Sequence, residues 1–127
     1  IDYHQNYLIN MDNNIAFIFA RGGSKGIPKK NIYPFLGKPL ILHTIELAKS
    51  MKCFDQIFVS SDNNEILSIA KKNKLGLIKR PANLASSKAT EWKAWQHAIK
   101  YVRKVHGDFK IFTSLPVTSP LRQKKKN

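Results

Sequence analysis

Four short apolar runs alternate with segments whose apolar residues recur at helical spacing, and this alternation constrains the fold more than any other feature. "IAFIFA" (15–20), "QIFVSS" (56–61), "GLIKR" (76–80) and "KIFTSL" (110–115) are the runs. Each is short and reads as a strand, "IAFIFA" and "QIFVSS" as strands covered on both faces and "GLIKR", closed by Pro81, as a brief one. Between the first two, Pro39 at a first helical position opens a segment with Ile41, Thr44, Ile45, Ala48 and Met51 on one face. Asp62 with Glu65 three residues on reads as a capping box, ahead of an Ile66, Ile69 and Ala70 stripe. From Thr90, residues Trp92, Trp95, Ile99, Val102 and Val105 repeat at the same period, which places both tryptophans in the core. The predicted order is β-α-β-α-β-α-β, an α/β fold with a mostly parallel sheet, right-handed crossovers and helices on both faces.

In open sheets of this kind, ligands bind outside the carboxyl ends of the strands. "RGGSKG", "SSDN", "KRP" and "LPVTSP" therefore share one rim. The first carries the clearest chemistry. "ARGGSKGIPKKN" (20–31) sets Arg21, Lys25, Lys29 and Lys30 among Gly22, Gly23 and Gly26 where the first strand ends. Neither G-x-G-x-x-G nor the Walker pattern is present. The glycines still let backbone N–H groups converge on an anion. Arg21 adds a bidentate fork and Ser24 a hydroxyl donor, while the lysines suit a triphosphate.

The chain's 127 residues suit one domain. Residues 15–122 are its expected extent, after a leader at 1–14 that stays outside the fold and before a basic tail at 123–127. The net charge of +14 points to a polyanionic partner, whether nucleic acid, nucleotide phosphate or anionic membrane. Much of it lies on scattered lysines, and one "RGG" is too little to argue RNA binding. No apolar run approaches the roughly 20 residues of a spanning helix, and "IDYHQNYLIN" has neither a basic start nor an apolar core. The expectation is a soluble cytoplasmic protein without membrane partners. Cys53 is the single cysteine and excludes an internal disulfide; its expected place is half-buried. The four histidines show no metal-ligand spacing, and His43 and His97 fall within helical segments as structural residues.

Five ordered blocks, "IAFIFARGGSKGIPKKNI", "GKPLILHTIELA", "FDQIFVSSDNNEI", "KRPANLA" and "TSPLR", together resemble the acylneuraminate cytidylyltransferases, the CMP–sialic acid synthetases. The resemblance spans residues 15 to 122 and implies the Rossmann-like nucleotide-diphospho-sugar transferase fold. It implies transfer of a cytidylyl group from CTP to a nine-carbon α-keto sugar acid, with Mg²⁺ stabilising the pyrophosphate that leaves. Carried over by motif, Arg21, Gly23, Ser24 and Lys25 would meet the phosphates. Lys30 would neutralise charge growing on the α-phosphate, and Asn31 and Arg80 would contact the nucleotide. Thr118 and Ser119 would offer hydroxyls to base or sugar, whereas Arg122 reads as structural. Lys30 and Arg21 are thus the catalytic candidates.

Departures accompany the matches. Pro116 and Val117 stand where the family commonly has Gln-Pro, and Ser87 replaces a carboxylate. The family's metal-binding aspartates, much of its sugar pocket and its dimerisation segment lie beyond the "TSPLR" block. A homodimer stays open, and Asp62 is the one weak metal candidate in the sequence. Two other readings stand beside the enzyme: an inert nucleotide-binding fragment, and a basic nucleic-acid-binding module. Sialic, legionaminic and pseudaminic acids all remain open as the sugar.

Overall fold

The computed structural model describes residues 13–22, 34–35, 37–84 and 91–117. Four strands form a parallel sheet: β1 (Asn14–Phe19), β4 (Gln56–Ser61), β5 (Gly76–Lys79) and β6 (Ile111–Pro116). Their spatial order is β5-β4-β1-β6. Phe17 pairs with Phe58 on one side and Ser114 on the other, which places β1 at the sheet's centre. Accordingly Ile15, Ala16, Phe17 and Ile18 are all fully buried. Each such aliphatic or aromatic side chain stabilises the fold by about 1.5–3 kcal/mol.

Three helices make the crossovers: α1 (Leu40–Met51), α2 (Asn64–Lys72) and α3 (Glu91–Val105). The first two steps, β1 to β4 and β4 to β5, run the same way across the sheet, so right-handed connections put α1 and α2 on one face. The step from β5 to β6 runs back past both intervening strands and puts α3 on the other. The core divides accordingly. Ile18 and Val59 pack with Ile41, Ile45, Ile66 and Ala70 under α1 and α2, while Ile15, Phe17, Phe58 and Ile78 pack with Ala98 and Val102 under α3. The reversal of direction lies between β1 and β6, and their carboxyl ends flank the crevice that such a switch opens.

Four expectations need correction. Pro39 caps α1 rather than occupying its first turn. It belongs to a short antiparallel ladder, β2 (Pro34–Phe35) with β3 (Lys38–Pro39), turned at Gly37 with φ of +81°, where a side chain would be strained. Trp92 is 62% exposed, because α3 faces the sheet with Ala94, Ala98 and Val102; these small residues make room for the phenylalanine rings on the sheet. Trp95 is half-buried and lies 5.3 Å from the Phe112 ring. Met51 and Val105 likewise point outward, and Cys53 is exposed rather than half-buried.

No helix among the described residues is long and apolar enough to cross a membrane.

Candidate functional site

The carboxyl ends of β1, β4 and β5 lie side by side, and their next residues carry the site. Pairing continues past the strands: the Ala20 amide donates to the Ser60 carbonyl at 3.0 Å, and the Arg80 amide to the Ser61 carbonyl at 2.8 Å. Arg21 and Gly22, Asp62, and Arg80 are thereby held at neighbouring exits. Strand alternation then decides where Arg80 goes. It shares the α3 face with Ile78, two residues back, and so turns inward while Lys79 turns toward α2. Lys79 Nζ reaches the Asp62 carbonyl at 3.0 Å and Asn64 Oδ1 at 2.8 Å.

Arg80 is a buried cation, 4% exposed. Its Nη2 donates to the Ser60 carbonyl at 3.0 Å and its Nε to Ser60 Oγ at 3.3 Å. Such burial is tolerated only when the charge is hydrogen-bonded and compensated. Burial pushes the guanidinium's pKa down from its usual value, the Asp62 carboxylate raises it, and Arg21 lowers it again. Two guanidinium groups and one carboxylate therefore act on each other at this rim, with a positive balance that suits an anion.

"SSDN" is a knot of local hydrogen bonds. Asn63, not Asp62, caps α2: its Oδ1 accepts from the Ile66 amide at 3.0 Å. Ser61 Oγ accepts from the Asn63 amide at 3.0 Å. The capping box expected at Asp62 is one residue out of register. Released from the helix, Asp62 directs Oδ1 at the Gly22 amide, 2.9 Å away. The two segments touch closely. A Cβ added to Gly22 would lie 2.7 Å from the Cβ of Asn63, so glycine is needed here for close approach.

His97 on α3 also feels this site. Burial and the Arg80 charge push its pKa below the usual histidine value. Among the described residues, neither its Nδ1 nor the Trp95 Nε1, both buried, has a hydrogen-bond partner. Helical periodicity alone gave His97 a structural place; its relation to Arg80 arises only when α3 folds over β5, and no local signal announces it.

Of the residues singled out in the sequence, the structure brings together Arg21, Asp62 and Arg80. Gly23, Ser24, Lys25, Lys29, Lys30, Asn31, Ser87, Thr118, Ser119 and Arg122 lie outside the described residues. Among the described residues no three His, Cys, Asp or Glu side chains cluster as metal ligands. Asp62 has one oxygen engaged by the Gly22 amide and the Arg80 guanidinium as an electrostatic neighbour. A separate hollow, lined by Asn14, Lys52, Cys53, Phe54, Asp55 and Ile111, lies at the opposite, amino-terminal edge of the sheet. There Asp55 is occupied in accepting from the Asn14 amide at 2.9 Å.

Comparison with known proteins bears on what this rim serves. The family model described as "Cytidylyltransferase" matches residues 15–116. A pseudaminic acid cytidylyltransferase of Campylobacter jejuni is 41% identical over 112 residues, covering 87% of this chain and 48% of that protein. An N-acylneuraminate cytidylyltransferase of Escherichia coli is 35% identical over 108 residues, covering 85% of this chain and 25% of that protein. The chain spans about half or less of the length of these relatives. Among solved structures, a CMP:2-keto-3-deoxy-manno-octonic acid synthetase complexed with CTP superimposes with a TM-score of 0.67. It is 20% identical and covers 90% of this chain and 45% of that one, a likeness of fold.

Proposed function

Because the chain belongs to the cytidylyltransferase family, we propose that its carboxyl-edge rim grips CTP for transfer to a nine-carbon α-keto sugar acid of sialic or pseudaminic type. The products are the CMP-sugar and pyrophosphate. One observation carries the reading: Arg80, a buried cation held by Ser60, lies on the same carboxyl edge as the Asp62–Gly22 contact that follows Arg21.

In this reading the sugar's anomeric oxygen attacks the α-phosphorus of CTP. A new P–O bond forms, the bond to the β-phosphate oxygen breaks, and the hydroxyl proton passes to solvent or base. The protein's part is positioning and electrostatic stabilisation. Arg21, Gly23, Ser24 and Lys25 bind the phosphates, and Lys30 offsets charge growing on the α-phosphate and the leaving group. Asn31 and Arg80 hold the nucleotide, and Thr118 and Ser119 serve base or sugar. Each charge-assisted hydrogen bond is worth about 1.5–3 kcal/mol. Three or four of them, after ordering costs, reach the roughly 8 kcal/mol of a micromolar complex. Magnesium enters through the resemblance alone, with no described residue assigned to it. A cytoplasmic location and a place in the biosynthesis of surface polysaccharide belong to the same reading.

Calorimetric titration with CTP, with and without Mg²⁺, tests the reading. Pyrophosphate release in the presence of sialic or pseudaminic acid completes the test. Expected are micromolar binding and a drop in kcat/KM on the order of a hundredfold in Lys30→Ala, as for loss of one charge stabiliser. A chain that does not bind CTP overturns the reading. Binding without release favours the second reading, a nucleotide-binding fragment.

A further inference from the structure

We propose that Asp62 is a positioning residue for nucleotide binding, acting through the Gly22 amide as a latch on the exit of β1 beside Arg21. The proposal rests on the CTP reading above.

Three observations carry it. The Asp62 carboxylate is not spent on its own helix, because Asn63 supplies the cap of α2. It instead accepts from the Gly22 amide at 2.9 Å, across 40 residues of sequence. Behind that contact the chains are closely interlocked, since a Cβ on Gly22 would lie 2.7 Å from the Asn63 Cβ and 2.9 Å from its Nδ2. The point held is the residue that follows Arg21 at the exit of β1 and precedes "GSKG" in the sequence. Fixing the Gly22 amide fixes the exit of β1 next to Arg21, one of the groups assigned to the nucleotide. Order established before the ligand arrives lowers the entropy lost on binding.

Charge alone predicts the opposite role. A carboxylate among groups that receive a triphosphate repels the ligand, and its removal should tighten binding. Support for binding that survives loss of the charge comes through geometry. The two effects are therefore separable by substitution. Asp62→Asn removes the charge and retains an oxygen able to accept from Gly22, whereas Asp62→Ala removes both.

The test is the CTP dissociation constant, by calorimetry at 15 °C without added metal, for the wild-type chain, Asp62→Asn and Asp62→Ala. Exchange of the Gly22 amide hydrogen is followed by NMR in parallel. The expected result is binding weaker by about tenfold in Asp62→Ala, as for one hydrogen bond to a charged group. Asp62→Asn should bind within about threefold of wild type or tighter, and Gly22 exchange should accelerate only in the alanine variant. Should Asp62→Ala not fold, Gly22→Ala forces the same junction apart and should weaken CTP binding comparably. Wild-type binding of CTP that neither Asp62→Ala nor Gly22→Ala weakens overturns the latch and leaves the nucleotide reading standing. Equal changes in both Asp62 variants also overturn it, since charge alone would then explain them. A wild-type chain that fails to bind CTP overturns the nucleotide reading and the proposal with it.

Discussion

Ser60 holds Arg80 at two points, its carbonyl accepting from Nη2 at 3.0 Å and its hydroxyl from Nε at 3.3 Å. The same carbonyl accepts the Ala20 amide at 3.0 Å, so one residue of β4 ties the exit of β1 to the arginine beyond β5. A lysine at position 80 would keep the charge but could not span both contacts, because its ammonium is a point rather than a fork. Arg80→Lys should therefore fold and should weaken CTP binding by about ten- to a hundredfold, the value of one charged hydrogen bond. Calorimetry checks this; an unchanged dissociation constant would remove Arg80 from the nucleotide site.

Gly76 begins β5 directly against the Phe58 ring. A Cβ there would lie 2.3 Å from Cδ2 and 2.4 Å from Cε2, and Phe58 is buried in the core beneath α3. The ring cannot swing into solvent, so Gly76→Ala overpacks the core and should cost about 1–3 kcal/mol. Urea unfolding would show a lower midpoint at unchanged slope. Adding Phe58→Leu should recover part of the loss, and failure to do so would place the strain elsewhere.

These two sites mark where sequence and structure part. The strands were legible because unbroken apolar runs such as "IAFIFA" reflect burial on both faces, and Ile15 to Ile18 are fully buried. The doubly covered sheet then followed from the β-α alternation. Helix faces were less legible. Large apolar residues dominate a periodicity reading, yet α3 meets the sheet through Ala94 and Ala98, so Trp92 was assigned inward and lies outward. At the rim, motif and strand end located Arg21 and Arg80, but no local pattern could reveal that Asp62 serves Gly22. That contact joins residues 40 apart, and the capping role it displaced was the simpler local reading. The β2–β3 ladder has no sequence signature, because two-residue strands leave no periodicity.

The net charge of +14 invites nonspecific adhesion to polyanions, and salt separates that from site binding. Random duplex DNA bound through scattered lysines should lose affinity with a log–log slope near −0.9 per neutralised phosphate. CTP, with few charges and a built site, should show a shallower dependence. Fluorescence anisotropy from 50 to 400 mM NaCl compares the two. DNA binding that outlasts CTP binding at high salt would favour a nucleic-acid module over the transferase reading.

His97 offers a pH signature of the assembled site. Burial and then the Arg80 charge push its pKa below the ordinary histidine value, so the folded chain binds a proton less readily than the unfolded chain does. Stability therefore rises with pH wherever the unfolded state carries the extra proton. The contribution is fully present above the unfolded pKa of about 6.5 and is lost as pH falls toward the depressed folded value. Denaturant unfolding between pH 8 and pH 5 should show stability declining below about pH 6.5. His97→Gln should flatten that limb, leaving the decline due to carboxylates at lower pH. Arg80→Met should raise the His97 pKa by removing the nearby cation, making the decline smaller and narrower, and NMR titration of the His97 ring follows the same change directly. A ring titrating at its ordinary value in the folded chain would show that α3 does not bring His97 under the influence of Arg80.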